Sequence, residues 1–367
     1  MSIHKIVVTG GPCGGKTTAL SRIQRDLSHL GYNVLIVPET ATSLISGGVA
    51  PWTCGTNEDY QLCQMRLQLE KERVFELAAS TMTDEKILIV CDRGELDNRA
   101  YMTEEEFGRI IQKLGVTEAD LRDDYDAVFH LTTAAKGAEE FYTLDNNAAR
   151  YESAEEARAL DDKFIAAWTG HPYLRVVDNR SDFEDKMRYL IREIAYFLGE
   201  LEPFEIERKF IIDYPNITWL ESQPACQKVE ISQSYLRSDD EREVRIRKRT
   251  TSGASTYSLT DKRLSHNRKR LETRRRLTDR EYQALLDQVD PHLREIRKTR
   301  YCLTYEGQYF EVDVYPCWND QAILQIELSH ADAEVVLPPQ LKVQREVTGD
   351  PSYRNAIIAA HPRGATH

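Results

Sequence analysis

A phosphate-binding loop is the first chemical feature of the sequence. The stretch GGPCGGKT at 10–17 has the pattern Gly-x-x-x-x-Gly-Lys-[Ser/Thr], directly after a strand pattern and directly before a helical one. The glycines let backbone N–H groups surround phosphate oxygens, and the helix N-terminus adds its dipole. We expect Lys16 to reach the β- and γ-phosphates and the Thr17 hydroxyl to hold Mg²⁺. The predicted nucleotide-binding loop comprises Gly10, Gly11, Pro12, Cys13, Gly14, Gly15, Lys16, Thr17 and Thr18.

Three more residues of the first half are candidates for the same site. Asp92 ends the apolar stretch ILIVCD, where a carboxylate either reaches the Mg²⁺ shell or caps a turn. Glu39 follows the stretch VLIVP, where it either orients or deprotonates a substrate hydroxyl or is a plain loop carboxylate. Arg150 lies where a lid would bring an arginine onto the transferring phosphate, and a surface salt bridge is the alternative. Lys16 and Asp92 are the predicted catalytic residues of this half.

In the second half, charged residues recur at every second position. A period of two places each set on one face of a strand. An ordinary sheet would turn such charges to water, but a closed antiparallel barrel with a polar interior accounts better for seven of them. Basic side chains in that interior fit a polyphosphate, and clustered glutamates fit Mg²⁺ or Mn²⁺. The stretches lie at 205–209, 245–249, 260–262, 268–274, 298–300, 311–313 and 325–327.

Charge is unevenly distributed along the chain. Residues 1–200 carry 34 acidic and 22 basic side chains, whereas residues 201–367 carry 26 of each. The net charge of the whole chain is therefore −12. Within the neutral half, residues 242–276 hold 13 Lys or Arg against three acids. Such a run is a solvated face, a nucleic-acid patch or a tunnel wall. The negative net charge and the period of two favour the tunnel wall, so we do not expect a nucleic-acid partner.

Two different frameworks must position these residues. The first half alternates strand and helix patterns, which predicts an α/β fold with a doubly wound parallel sheet. From Phe204 onward, eight strand-like stretches, with one helical stretch after the fifth, predict a mainly β (α+β) domain built as an eight-stranded antiparallel barrel. Pro203 marks the boundary. We therefore predict a P-loop NTPase or kinase-like domain over 1–202 and a tunnel domain over 203–367.

Composition indicates the class and compartment of the protein. Hydrophobic residues make up 41% and charged residues 29% of the chain, as in soluble globular proteins. No apolar run reaches the roughly 18 residues of a membrane span. Seven scattered cysteines without a Cys-x-x-Cys pair argue against disulfides or zinc and for reduced thiols. The first strand pattern begins a few residues after Met1 and leaves no room for a signal peptide. We therefore expect a cytoplasmic protein.

Motifs of the first half resemble a known family over roughly residues 1–200. TGGPCGGKTT, PETA, CDRG and WTGHPYLRVVDN together resemble the AAA-labelled P-loop kinase-like family related to nicotinamide riboside kinases. The resemblance implies ATP or GTP binding, with phosphoryl transfer to an acceptor that it does not identify.

The second half resembles another family over roughly residues 203–362. EIERK is similar to the Glu-x-Glu-x-Lys signature of the CYTH domain, or triphosphate tunnel metalloenzyme, and QSYL, VRIRKR, SLTDK, RLETRR, KTRY, FEVDVY, QIEL and REVTGDPSYRN follow in that family's order. Gln325 and Arg274 stand at positions where that family usually has glutamates. The loss of negative charge affects hydrolysis more than it affects binding. The resemblance implies metal binding by Glu205, Glu207 and Glu327, catalysis by the first two, and triphosphate binding by Lys209, Arg245, Arg247, Lys262, Arg270, Lys298 and Arg300.

The two halves together resemble the TRPL translocation defect proteins, which are described as binding GTP and phosphoinositide. Three hypotheses follow. The first is an enzyme whose tunnel hydrolyses a triphosphate-bearing substrate with Mg²⁺ or Mn²⁺, while the P-loop domain binds ATP or GTP and transfers phosphate. The second is a GTP-binding regulatory module whose tunnel binds a polyanion, such as a phosphoinositide, without turnover. The third is a peripheral membrane or RNA-binding protein that uses the 242–276 run. The predicted metal-binding glutamates favour the first.

Overall fold

The computed structural model describes residues 2–142, 153–200, 206–238, 242–264, 270–328 and 334–360. The chain divides into two units, Met1–Leu201 and Glu202–His367. Both parts of the predicted fold class are confirmed, a parallel sheet with helices followed by an antiparallel sheet. Arg150 and Glu205 lie outside the described residues, and so does the side chain of Arg270. No helix in the described ranges is long and apolar enough to cross a membrane.

The first unit is built on a five-stranded parallel sheet. Its strands are β1 (Ser2–Gly10), β2 (Asn33–Val37), β3 (Lys86–Asp92), β4 (Ala127–Leu131) and β5 (Leu174–Val177). Their order is β2–β3–β1–β4–β5. From β1 the chain passes to β2 in the direction of one edge of the sheet, and from β3 it passes to β4 in the direction of the opposite edge. This change of direction occurs between β1 and β3, where open α/β sheets bind ligands at the carboxyl ends of their strands.

Helices of the first unit pack on this sheet, and Ile23 and Met187 share one apolar core with strand residues such as Val8. Several helices begin at a Ser or Thr whose hydroxyl accepts a hydrogen bond from the first turn, as Ser153 does from the Glu156 N–H. The helices are α1 (Lys16–His29), α2 (Thr40–Ser46), α3 (Asn57–Thr81), α4 (Glu104–Leu114), α5 (Glu118–Asp123), α6 (Ala154–Trp168) and α7 (Phe183–Phe197), with 3-10 helices at Glu95–Tyr101 and Glu139–Phe141.

The second unit is built on an antiparallel sheet of nine strands. They are β6 (Ile206–Asp213), β7 (Cys226–Tyr235), β8 (Arg242–Thr251), β9 (Ala254–Leu264), β10 (Arg270–Leu277), β11 (Ile296–Tyr305), β12 (Gln308–Val314), β13 (Gln321–Leu328) and β14 (Val343–Glu346). Their order is β10–β9–β8–β7–β11–β12–β13–β6–β14. The remaining helices are α8 (Ile217–Ser222), α9 (Asp279–Leu286), α10 (Asn355–Ala360) and a 3-10 helix at Pro351–Tyr353. The first eight strands match the eight predicted ones, with α9 after the fifth, and the short β14 was not predicted.

The two faces of the second sheet differ in chemistry, although both contain buried side chains. One face carries an apolar core in which Phe210, Tyr301 and Leu324 pack with Leu220 of α8. The other face carries charged residues at the alternate positions, and Asp313 among them is 0% exposed. A charged face that is itself buried requires the sheet to curl around its own side chains. The sheet is therefore barrel-like, with a polar interior.

Candidate functional site

The phosphate-binding loop connects β1 to α1. Gly10 has a φ of +139°, and a Cβ there would lie 2.0 Å from the Leu131 carbonyl oxygen, so only glycine fits. Gly15 is the N-cap of α1, with a φ of +93° and no side-chain hydrogen bond to the first turn. The N–H groups of that turn therefore face a ligand without a competing cap. Lys16 Nζ folds back to 3.1 Å from the Gly10 carbonyl oxygen and 3.4 Å from that of Gly11.

An ion pair that the sequence pattern does not reveal lies beside this loop. Arg93, the residue after β3, places its Nε 2.6 Å from Glu39 Oε1 and its Nη1 3.3 Å from the Gly10 carbonyl oxygen. Its guanidinium lies 4.6 Å from the centre of the Phe164 ring. Burial opposes the ionisation of Glu39, but the charge of Arg93 together with a hydrogen bond from Thr42 lowers the pKa of that carboxyl group. The sequence signal for this ion pair is a basic residue at the carboxyl end of a strand, within the stretch CDRG.

Burial shifts the pKa values of both Lys16 and Asp92. Burial, with the charge of Arg93 second, lowers the pKa of Lys16 to about 8. Burial, with the charge of Glu39 second, raises the pKa of Asp92. Asp92 Oδ1 is buried and has no hydrogen-bond partner within the described structure. An orphaned carboxylate oxygen is costly to bury unless a cation meets it, so the site fits a divalent cation held by Asp92 and the exposed Thr17.

A buried carboxylate on α6 supports the loop from behind. Asp161 Oδ1 accepts hydrogen bonds from the Gly11 N–H at 3.0 Å and the Thr133 N–H at 3.2 Å, and it lies 3.0 Å from His130 Nε2. Lys136 Nζ donates to Oδ2 at 2.9 Å. Burial opposes ionisation of Asp161, but His130 and Lys136 lower its pKa. The carboxylate therefore fixes the backbone of the loop at Gly11.

In the second unit, two predicted metal-binding glutamates face each other. Glu207 on β6 is the register partner of Glu327 on β13, and both are exposed. Residues directly opposite each other in an antiparallel pair have Cβ atoms about 5 Å apart, and like charges there repel. A hard divalent cation between the carboxylates would relieve that repulsion. The described residues contain no cluster of three or more potential metal ligands, and the third predicted glutamate, Glu205, lies outside them.

Two of the predicted triphosphate-binding residues are already paired inside the sheet. Arg300 on β11 donates from Nε and Nη2 to Asp313 on β12 at 2.7 and 2.8 Å, and Lys298 contacts the same carboxylate. Burial lowers the pKa of Lys298 to about 7. Burial opposes ionisation of Asp313, but Arg300 and Lys298 lower its pKa. A triphosphate would share these two cations with Asp313, which the sequence analysis placed on an alternating stretch without assigning a role.

The other basic residues lie on the same face of the sheet. Arg247 is the register partner of Gln233 and donates to its Oε1 from Nε at 3.2 Å and from Nη2 at 2.8 Å. Arg245 is opposite Tyr235, whose hydroxyl accepts a hydrogen bond from Gln233 Nε2 at 3.0 Å. Lys262 on β9 is the register partner of Glu243 on β8, which lies two residues before Arg245. The strand register therefore places Arg245, Arg247, Lys262, Lys298 and Arg300 on one face, together with Lys209, Glu207 and Glu327.

The fold and these two sites define a fusion of a P-loop unit with a triphosphate-tunnel unit. The profile of the AAA domain family matches residues 5–186. The inorganic triphosphatase of Acetivibrio thermocellus is 32% identical over 162 residues, which make up 43% of this chain and 94% of that protein. The chain therefore belongs to the family of that inorganic triphosphatase.

Solved structures similar to this chain include the inorganic triphosphatase NE1496, which is 27% identical in sequence. The match covers 44% of this chain and 98% of that chain, with a TM-score of 0.33. The PH1819 protein from Pyrococcus horikoshii OT3 is 17% identical, with coverages of 35% and 81% and a TM-score of 0.25. TM-scores of this size do not by themselves establish a shared fold. None of these relatives supports a phosphoinositide partner, and the resemblance to the TRPL translocation defect proteins stays a prediction.

Proposed function

We propose that the second unit hydrolyses a triphosphate-bearing substrate with the help of Mg²⁺ or Mn²⁺. The observation that carries the proposal is the 32% identity to almost the whole of an inorganic triphosphatase. The facing carboxylates of Glu207 and Glu327, with Glu205 as the third ligand, would hold the metal. The metal, when bound, offsets charge on the phosphate oxygens.

The basic residues of the charged face have the role of holding the substrate. Arg245, Arg247 and Lys262 would fix the triphosphate so that a water molecule attacks the terminal phosphorus in line with the leaving oxygen. Lys298 and Arg300, held by Asp313, keep their positions before the substrate arrives. A preorganised set of cations does not have to reorganise as charge develops, which lowers the barrier.

The first unit, in this proposal, binds ATP or GTP at the phosphate-binding loop and transfers the terminal phosphate. Thr17 and Asp92 would hold Mg²⁺, and Lys16 would contact the β- and γ-phosphates. Burial and the charge of Arg93 lower the pKa of Lys16, and the negative charge of a bound phosphate would raise it again. Arg150 would approach the same phosphate.

The experiment is phosphate release by the full chain from tripolyphosphate, ATP and GTP, each with Mg²⁺ and with Mn²⁺. We expect metal-dependent release from at least tripolyphosphate, and its loss in Glu327→Gln. Glu230→Gln is the matched control, because Glu230 is an exposed β7 residue whose partners are Thr250 and Thr299. Absence of release from every triphosphate with both metals would contradict the proposal.

One observation favours the alternative of a regulatory module that binds a polyanion without turnover. Gln325, opposite Lys209, stands where an acid would strengthen a metal site. The missing acid weakens metal-dependent catalysis more than it weakens binding of the polyanion. Saturable binding of tripolyphosphate without phosphate release would establish this alternative.

A further inference from the structure

The second unit contains a cavity beside the connection between β12 and β13. Its volume is about 300 Å³, at the lower end of the range for small-molecule sites. The described residues that line it are all uncharged, although charged side chains recur along the neighbouring strands. Three of them are aromatic, namely Tyr214, Tyr315 and Trp318. The cavity therefore differs in chemistry from the charged face that is proposed to hold a triphosphate.

Two strand residues of the cavity wall belong to the other face of the sheet. Thr299 on β11 and Val314 on β12 are register partners, and both line the cavity. Thr299 lies between Lys298 and Arg300, and Val314 directly follows Asp313. Because successive residues of a strand point to opposite faces, this part of the wall lies on the face opposite the cations. Val314 also packs in the apolar core of that face.

A tight turn after β12 fixes two of the aromatic rings. The backbone N–H of Trp318 donates to the Tyr315 carbonyl oxygen at 3.0 Å, and Pro316 restricts the backbone at the second position of the turn. The Tyr315 and Trp318 ring centres are 4.8 Å apart, with an angle of 43° between the ring planes. Both residues are buried. The aromatic part of the wall is therefore formed before any ligand arrives.

Trp318 also places an unused hydrogen-bond donor at this cavity. The residue is 6% exposed, and its indole Nε1 has no hydrogen-bond partner in the described part of the chain. The Tyr315 hydroxyl, in contrast, donates to Asn355 Oδ1 at 3.1 Å. A buried donor without an acceptor destabilises the fold. An acceptor atom of a ligand in the cavity would satisfy the indole N–H and remove this cost.

The wall and the donor together select a class of ligand. Aromatic side chains pack well against a planar ring, in offset-stacked or edge-to-face arrangements. An ionised ligand would lose its hydration without meeting an opposite charge on the residues that line the cavity. Lys298 Nζ lies 5.7 Å from the centre of the Tyr315 ring, but it is paired with Asp313. These features favour a ligand that is planar, uncharged and able to accept a hydrogen bond.

We propose that this cavity is a second ligand site of the second unit, separate from the triphosphate site. It takes an uncharged planar ring that carries a carbonyl or ring-nitrogen acceptor, the class of the aromatic amides and nucleobases. The ring packs against Tyr315 and Trp318, and the acceptor atom receives a hydrogen bond from the Trp318 indole N–H. The site is independent of the proposed function, because it is the same whether the second unit hydrolyses a triphosphate or only binds it.

The test follows the indole N–H signals of the four tryptophans by NMR in the full chain labelled with ¹⁵N. The signal that is lost in Trp318→Phe is the Trp318 signal. The uncharged probes are benzamide, uracil and adenine. Benzoate and cumene resemble benzamide in shape, but benzoate is charged and cumene has no acceptor. We expect benzamide to shift the Trp318 signal saturably and to bind at least about tenfold more tightly than benzoate or cumene.

Two variants of the cavity and one control localise the binding. Trp318→Phe keeps a ring in the wall but removes the donor, so the Kd of benzamide, measured by equilibrium dialysis, is expected to rise about tenfold. Thr299→Leu places a larger side chain in the cavity and leaves the indole in position, so the shift of the Trp318 signal is expected to disappear. Trp52→Phe, at an exposed position of the first unit, is the control with unchanged affinity.

Each outcome either supports or overturns the inference. Thermal unfolding checks that the variants are folded, and Thr299→Leu decides the question if Trp318→Phe does not fold. Saturating tripolyphosphate is expected to leave benzamide binding unchanged, because Thr299 and Val314 lie on the face opposite the cations. The inference is overturned if no uncharged probe shifts the Trp318 signal, or if the shift persists in Thr299→Leu. Displacement of benzamide by tripolyphosphate would also overturn it, since the two ligands would then share one site.

Discussion

Glu207 and Glu327 are the pair of residues on which the proposed metal site depends. Their carboxylates face each other across β6 and β13, with Lys209 Nζ 3.4 Å from Glu207 Oε1 as a nearby cation. A divalent cation bound between them would stabilise the folded state alone, because the unfolded chain does not hold the two groups together.

At the residue scale, we predict that Glu207→Gln removes the stabilisation by metal. Wild-type protein is expected to gain about 2.7 kcal/mol at a metal concentration a hundred times Kd. The variant is expected to show little of this gain, because it loses one of the three carboxylates proposed to hold Mg²⁺ or Mn²⁺. Thermal unfolding with EDTA and with each metal measures the difference, and Glu230→Gln serves as the control. An equal rise in Tm for the wild type and Glu207→Gln would place the metal elsewhere.

Sequence patterns identified residues whose roles depend on local spacing. Lys16 belongs to a loop motif, and Glu207 lies on a strand with a period of two. The roles of Asp161 and Arg93 could not be predicted in the same way. Asp161 contacts the Gly11 N–H across 150 positions, and Arg93 contacts Glu39 across 54. Such contacts depend on which strands become neighbours, which a local pattern does not determine.

At the element scale, the β11–β12 pair is held by a buried ion cluster. Asp313 is the only acid that contacts Lys298 among the described ion pairs, and it also receives two hydrogen bonds from Arg300. Removing Asp313 would leave Lys298 without this acid, whereas Arg300 would keep its contact with Glu311. The stability of this part of the sheet therefore depends largely on Asp313.

We predict that Asp313→Asn lowers the free energy of unfolding by about 3–5 kcal/mol. Chemical denaturation measures the loss, and Asp320→Asn, at an exposed position beyond β12, is the control with an expected change within about 0.5 kcal/mol. Tripolyphosphate is expected to stabilise Asp313→Asn more than the wild type, because the added anion takes the place of the lost carboxylate. Equal stabilisation of both proteins would show that Lys298 and Arg300 do not contact the substrate.

Elements were predicted well where the pattern was long and repeated. The first eight strands of the second sheet have alternating polar and apolar residues, and two of their hairpins have positive φ at both central residues, Ser252–Gly253 and Glu306–Gly307. The ninth strand, β14, has only four residues, all exposed, and its pairing with β6 contains a register shift. A strand this short has too few residues to show a period of two, so its existence depends on the edge that β6 offers.

At the scale of the whole molecule, stability should depend on pH through two buried glutamates of the first unit. Burial raises the pKa of Glu72 to about 7 and that of Glu95 to about 9. Lys5, Asp124 and the Tyr125 hydroxyl are the groups that face them. The folded chain binds these protons more tightly than the unfolded chain, so stability decreases as the pH rises above the unfolded value near 4.5.

We therefore predict that the free energy of unfolding falls by several kcal/mol between about pH 5 and pH 8. Glu95→Gln is expected to reduce this dependence, because the amide carries no charge at any pH in the range. Denaturant titrations at several pH values measure both slopes. Stability that increases over this interval in the wild type would contradict the buried, proton-binding role of Glu72 and Glu95.

The last prediction concerns the independence of the two sites. Lys16 and Glu207 belong to different units, and the described residues of each site come from one unit only. Lys16→Ala removes the cation directed at the β- and γ-phosphates, so nucleotide affinity is expected to fall by about 1.5–3 kcal/mol, the contribution of a hydrogen bond to a charged group. Metal-dependent release from tripolyphosphate is expected to continue in Lys16→Ala and to stop in Glu207→Gln, which keeps its nucleotide affinity. Release that stops in Lys16→Ala but persists in Glu207→Gln would assign the hydrolysis to the phosphate-binding loop.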